Sequence, residues 1–283
     1  MHRPTTLTLC AFFALFAAFG CGSTSDPQPT QNTTPALCEP QDYHVESEAI
    51  QLEQVQAKLR VPSGEAAADL PVQVCGIDAC LPFNADVSGV LNKRIQQKML
   101  RPALKYGDGF DYAELAAPLT ENNQNLGELI ALPLPPLAEG AKFPESGTVT
   151  NGDVTLRLAR NGSVEHDVLS YTDEELVFRS VEVPVAESPQ ALPPSFGFEL
   201  AYGLSPLESK FCPPAGLSLK NTLNWAPGTE LEVFVQGLNV DEKWAPYGTW
   251  LQVAEARVSS DGKSIDTTSG GIPVLSSIAL RRK

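Results

Sequence analysis

The strongest constraint on this fold is a hydrophobic period of two, repeated in short runs along most of the chain. In "VQAKLRV" (55–61), Val55, Ala57, Leu59 and Val61 fall on one face and Gln56, Lys58 and Arg60 on the other. Side chains alternate across a strand, so this pattern describes a strand with one side buried. "PVQVCG", "GDVTLRL", "ELVFRSVEVPVA", "SFGFELAYGL", "AGLSLKN", "TELEVFVQGL", "GTWLQVAEARV" and "SSIALRR" continue it, with turn signals roughly every 8 to 15 residues. Asn151-Gly152 and Asp261-Gly262 mark tight turns between alternating runs. Amphipathic helices are not interleaved, and the expected class is all-β, built as two antiparallel β-sandwich domains. One stretch reads two ways. In "LNKRIQQKMLRPALKYGDG" (91–109), Leu91, Ile95 and Met99 are spaced i, i+4 as on a short helix that Pro102 would stop.

A Pro-rich stretch near 118–140 divides the sandwich region into expected domains at 38–125 and 126–283. Within it, "LGELIAL" reads as an edge strand of either one. Ahead of both, Arg3 precedes an uncharged run, "LTLCAFFALFAAFG" (7–20). That run is shorter than the roughly 20 residues a spanning helix needs and suits the centre of a signal peptide, expected over 1–20. "CGSTSDPQPTQNTTP" follows, polar and Pro/Thr-rich. The segment 21–37 reads as a flexible tether, because it has too little apolar surface to offset its ordering entropy.

Signal, cysteine and tether in this order resemble a bacterial lipoprotein. The resemblance rests on Ala18-Phe19-Gly20-Cys21, with Phe19 where the family carries a small residue. It implies that Cys21 is the lipid-modified residue holding the protein on a membrane, with Gly22 after it fitting passage to an outer membrane. The alternative is an ordinary cleaved signal with Cys21 left as a free or bridged cysteine. The chain carries 20 Lys+Arg against 34 Asp+Glu, a net charge of −14. That balance argues strongly against nucleic-acid binding, which needs phosphate-neutralising contacts, and against charge-driven adhesion to anionic lipid. The expected address is the cell envelope, lipid-anchored, with an envelope protein or a glycan as partner.

Export favours disulfides. With Cys10 in the signal and Cys21 as anchor, Cys38, Cys75, Cys80 and Cys212 remain, a set that allows three pairings. The Gly-containing loop in "VCGIDACL" suggests Cys75 with Cys80, which leaves Cys38 for Cys212. Zinc is the weaker alternative, since neither His44 nor His166 stands at ligand spacing from a cysteine pair.

Two further resemblances concern the domains. Residues 53–90, with the turn "ADVSGV" carrying Asp86 and Gly89, resemble the opening strands of a carboxypeptidase-regulatory-like, transthyretin-like sandwich. Residues 147–280 are similar to the β-sandwich domain shared by ankyrins and netrin receptors. The likeness rests on the order of "GDVTLRL", "APGTELEVFV", "GTWLQVAEARVSSDGKSI" and "GGIPVLSSIAL". The second likeness implies a structural or protein-interaction module rather than an enzyme.

Motifs for catalysis are missing: there is no G-x-S-x-G, S-x-x-K, H-E-x-x-H, P-loop or dinucleotide fingerprint. No catalytic residue, cofactor or metal is therefore expected, although a Ser-His-Asp set using His166 and Asp167 can be drawn on paper. Paired carboxylates acting on glycans remain the enzymatic alternative. "YGDGFDYAEL" (106–115) places Asp108, Asp111 and Glu114 every third residue among aromatics. It reads either as a calcium- or sugar-binding loop or as an exposed acidic loop with its aromatics turned inward. "NVDEKWAPYGTW" (239–250) clusters Trp244, Tyr247 and Trp250. Exposed, these rings would serve recognition; otherwise they pack a sandwich end.

Overall fold

In the computed structural model the described residues are Cys38, Gln41, Tyr43, 46–166 and 170–283. The signal, the tether, Cys21, His44 and Asp167 lie outside them. The first seven strands are β1 (Ala49–Arg60), β2 (Pro71–Cys75), β3 (Cys80–Asn84), β4 (Val90–Leu100), β5 (Ala103–Tyr106), β6 (Leu115–Pro118) and β7 (Asn123–Ile130). Next along the chain come β8 (Ala141–Lys142), β9 (Gly147–Asn151), β10 (Val154–Leu158), β11 (Ser163–Glu165), β12 (Val177–Glu182) and β13 (Leu200–Ser205). The last six are β14 (Lys210–Lys220), β15 (Glu230–Gln236), β16 (Trp250–Val258), β17 (Ser264–Gly270), β18 (Ile272–Val274) and β19 (Ile278–Arg282). Among the described residues only 3-10 turns interrupt the strands, so the protein is all-β.

β4–β1–β7 make one sheet and β3–β2–β5–β6 a second. Their apolar faces meet: Leu52, Val55 and Leu59 of β1 share a core with Val72, Val74, Leu104 and Leu115. The ambiguous 91–109 stretch is strand, not helix, over β4, paired antiparallel along β1 from Leu100 opposite Ala49 to Val90 opposite Lys58. A spacing of four is also a multiple of two. Leu91, Ile95 and Met99 therefore share a strand face as readily as a helix face, with Lys93 and Gln97 filling the inward slots between them. One pairing departs from the antiparallel expectation, since β7 runs parallel to β1, Gln54 opposite Asn123. Between β1 and β7 the chain crosses to the second sheet for β2 and β3, comes back as β4, and crosses again for β5 and β6; this is the long connection a parallel pair requires.

The remaining strands form one large sheet ordered β8–β12–β13–β19–β15–β16–β17–β14–β10–β9, with β11 and β18 added to β14. Asn151 at the end of β9 reaches Ser180 of β12, accepting its backbone N–H at 2.8 Å, which draws the far edges of the sheet together. Its interior is a separate core of residues such as Leu156, Phe178, Leu217, Val233 and Ile278. The outer side of this sheet continues the first core, with Phe198, Ala201, Phe234, Trp250 and Ala279 packed in the same cluster as β1 and β7. Trp250 stands edge-on to Phe198 at 5.0 Å and donates its indole N–H to the Ala191 carbonyl at 2.8 Å. A buried aromatic whose polar edge finds a partner adds area without an unsatisfied donor.

Two of the polar ties between the small sheets and the large one meet at one place. The Gln236 side chain, 1% exposed at the end of β15, accepts the Ala116 N–H at 3.1 Å and donates to the Ala116 carbonyl at 2.8 Å. Ser277 Oγ donates to the Glu114 carbonyl at 2.8 Å. Both ties end on the same short stretch, 114–116, at the start of β6.

The cysteines pair as Cys75 with Cys80 and Cys38 with Cys212, at sequence separations of 5 and 174. Cys75 and Cys80 face each other across the β2–β3 hairpin. The long link ties the lead-in segment to β14, and backbone bonds from Gln41 to Lys243 and from Tyr43 to Glu242 lay it along the 242–243 loop. In the chain-entropy account, a loop near the longer separation stabilises by about 5 kcal/mol and one near the shorter by about 2 kcal/mol.

Candidate functional site

The ties at 114–116 border a cavity of about 340 Å³, within the range of small-molecule sites. One wall belongs to the second sheet and its loop: Gln73, Lys105, Asp108, Phe110 and Glu114. The other is built by the large sheet's connections: Tyr171, the β13–β14 turn at Leu207 and Glu208, and the segment Leu238–Val240 after β15.

The first wall owes its shape to Asp108. Its Oδ1 accepts the backbone N–H groups of Phe110, Asp111 and Tyr112 at 2.9, 2.8 and 3.0 Å. An Asp satisfying the donors after it in this way fixes a turn. Gly109 completes that turn: its φ is +72°, and a Cβ there would stand 2.7 Å from Leu207 Cδ1 and 2.9 Å from the Tyr171 hydroxyl. Only glycine fits so close an approach. The loop thereby sets Phe110 against Tyr171, ring centroids 4.7 Å apart. Tyr171 in turn accepts the Leu207 N–H at 2.9 Å, joining the aromatic pair to the Glu208 turn.

The acidic triplet at 108, 111 and 114 divides. Asp108 and Glu114 line the cavity, while Asp111 is exposed and does not. Glu114 meets Lys105 Nζ at 2.7 Å, with both side chains largely buried. Burial pushes the Glu114 carboxyl up, and the Lys105 charge opposes that shift. Burial also pushes Glu208 up, against a 3.2 Å hydrogen bond from Asn239. Glu208 has φ +61°, a left-handed conformation that costs a non-glycine residue on the order of 1 kcal/mol. Among the described residues no group of three or more His, Cys, Asp or Glu is arranged to hold a metal ion.

The aromatic cluster at 239–250 is mostly interior. Trp250 belongs to the core and Tyr247 is 3% exposed. The Tyr247 N–H is accepted by Glu242 at 2.7 Å, and the backbone at Gly237 runs hard against Pro246. The loop is thus pressed onto β15, and Tyr247 offers no surface to a large partner. Trp244 is half-buried beside Tyr43 in a smaller cavity of about 180 Å³. His166 Nδ1 lies 2.9 Å from Ser209 Oγ, the beginning of a Ser-His arrangement. Ser209, however, is wholly buried and also bonds the Pro206 carbonyl, so no substrate reaches its hydroxyl.

Glu208, Tyr171 and Asn239 are the residues the sequence reading missed. They stand far apart in the chain, each inside a run that reads as turn or strand end. Gln236, a polar residue at the close of an alternating apolar strand, carried the one visible signal of a joint between sheets.

No family model matches the chain, and no curated protein matches it. Among solved structures it is similar to a protein from Bacteroides uniformis described as a candidate carbohydrate-binding protein. The match has 6% identity and a TM-score of 0.22 over 81% of this chain and 98% of the other. A likeness at that level carries no inference about fold or function.

The two raised carboxyls set a pH dependence. A carboxyl whose folded value lies above its unfolded one binds its proton more tightly in the folded state. Its contribution is then most favourable at low pH and is lost as pH rises through the raised value. Glu208→Gln removes that loss. We expect a melting temperature about 2 °C above the parent at neutral pH, with the two proteins converging below the ordinary carboxylate range. A lower melting temperature for Glu208→Gln at neutral pH would show that the charge is stabilising.

Proposed function

We propose that this chain is a non-catalytic binding protein of the cell envelope, held by lipid on Cys21, whose cavity takes a small hydroxyl-rich ring such as a sugar. The observation carrying the ligand reading is the cavity's two-sided chemistry. Phe110 and Tyr171 offer ring surface for the C–H face of a saccharide. Glu208, Asn239, Gln73 and the Lys105–Glu114 pair offer acceptors and donors for its hydroxyls. Such convergence of a few polar groups on an apolar wall is what small-ligand sites present. The envelope reading is supported by the Gly20-Cys21 junction after the short apolar run and by two disulfides. Stable anchoring takes more than one acyl chain, which the lipoprotein modification provides.

Calorimetric titration of the full chain with neutral monosaccharides and short oligosaccharides tests the ligand reading. The expected dissociation constant is about 1 mM or tighter. Phe110→Ala should weaken it by roughly tenfold, the loss of about 1.4 kcal/mol, while Trp244→Ala leaves it in place. The alternative is glycoside hydrolysis by Glu114 and Glu208, favoured by their sharing one cavity with carboxyls pushed up. It predicts turnover of aryl glycosides that Glu208→Gln abolishes; the binding reading predicts none.

For the anchor, mass spectrometry of the membrane-extracted protein should find a diacylglyceryl or triacyl group on Cys21, and Cys21→Ser should move the protein to the soluble fraction. An unmodified Cys21 in a soluble mature form would end the anchor reading.

A further inference from the structure

The cavity's charged groups are not equivalent, and their inequality points to the charge of the ligand. Three carboxylates and one ammonium line it, Asp108, Glu114, Glu208 and Lys105, a formal charge of −2. Two of the carboxylates are already employed. Asp108 holds three backbone N–H groups of its own turn. Glu114 is matched by Lys105 at 2.7 Å. Glu208 has only a neutral donor, Asn239 Nδ2 at 3.2 Å. Asp241 and Glu114 repel its charge; Lys105, the lone cation of the lining, attracts it from a distance but makes its ion pair with Glu114. Among the described residues none forms an ion pair with Glu208.

A carboxylate withdrawn from water needs a cation or several donors to recover its lost hydration. A ligand hydroxyl supplies one neutral hydrogen bond, whereas an ammonium supplies charge-assisted bonds roughly twice as strong. A second polar group beside the cavity is left unsatisfied. The Tyr247 hydroxyl is buried and unbonded. Its ring packs in one cluster with the cavity residues Tyr171, Leu207 and Leu238, and it lies near enough to Glu114 to feel its charge.

We propose that the cavity selects a hydroxylated ring bearing a primary ammonium group, the chemistry of an amino sugar. Glu208 receives the ammonium, and Phe110 with Tyr171 covers the apolar face of the ring. This rests on the sugar-binding reading above and sharpens it: N-acylated and anionic sugars lack the charge Glu208 calls for, and anionic ones are repelled.

The test compares glucose, glucosamine, N-acetylglucosamine and glucuronate by calorimetry on the full chain at neutral pH. Glucosamine should bind about tenfold tighter than glucose, with N-acetylglucosamine no better than glucose and glucuronate weaker. Glu208→Gln, which keeps the side chain's shape, should bring the glucosamine-to-glucose ratio to about one. The ratio is internal to each protein, so a change in folding does not mimic the result. Equal affinities for glucose and glucosamine overturn the ammonium proposal and leave sugar binding standing. A tenfold preference that survives in Glu208→Gln overturns the role of Glu208. Absence of binding by all four sugars overturns both readings.

Discussion

One buried amide holds two parts of this protein in register. Gln236 closes β15 and grips both backbone groups of Ala116, 120 residues away. Neither half of that clasp is replaceable by packing. An apolar side chain at 236 would leave the Ala116 N–H and carbonyl buried without partners, a cost of about 1–3 kcal/mol for each. With Ser277 on the Glu114 carbonyl, the clasp fixes the start of β6 against the large sheet. Glu114 and Lys105 then face the Glu208 turn across a gap of set width. The cavity is a consequence of that joint: two sheet systems meet edge to loop, and the space between is lined by whatever their connections present.

Much of the architecture was legible because strands announce themselves by a period of two. The alternation in "VQAKLRV" and "TELEVFVQGL" became β1 and β15, and Asn151-Gly152 and Asp261-Gly262 lie at hairpin turns. The cysteine spacing led to the same pairing the structure has, since a loop of six residues can close locally and only one partner then remains. Illegibility had specific causes. β4 hid because i, i+4 apolar spacing satisfies both periods, while Lys93 and Gln97 broke the alternation. The parallel β1–β7 pair hid because strand direction depends on the crossover between them, which no local window reports.

The candidate site was legible only where its residues are neighbours in the chain. "YGDGFDYAEL" drew attention to Asp108 and Glu114, and both line the cavity together with Phe110 of the same segment. Their roles differ, which spacing alone did not reveal: Asp108 builds the turn, Glu114 closes an ion pair, and Asp111 faces away. Glu208, Tyr171 and Asn239 come from three other connections and meet only in the folded chain. At 239–250, where recognition and packing were both open, Tyr247 and Trp250 pack inward, the loop pressed by the approach of Pro246 to Gly237, and Trp244 stays half-buried. The cavity's own cost argues for use. Two carboxyls held above their ordinary range, and a non-glycine residue held at positive φ to present one of them, are expensive features at a place where hydrophobic residues would stabilise more.

The central claim is that the joint between the sheets is where a ligand sits. The most direct measurement is a crystal structure of the protein soaked with glucosamine. Our account predicts density between the Phe110–Tyr171 rings and the Glu208 carboxylate, with the amine within hydrogen-bond distance of Glu208. Density confined to the Trp244 surface, or a cavity holding only water at a saturating sugar concentration, would contradict it.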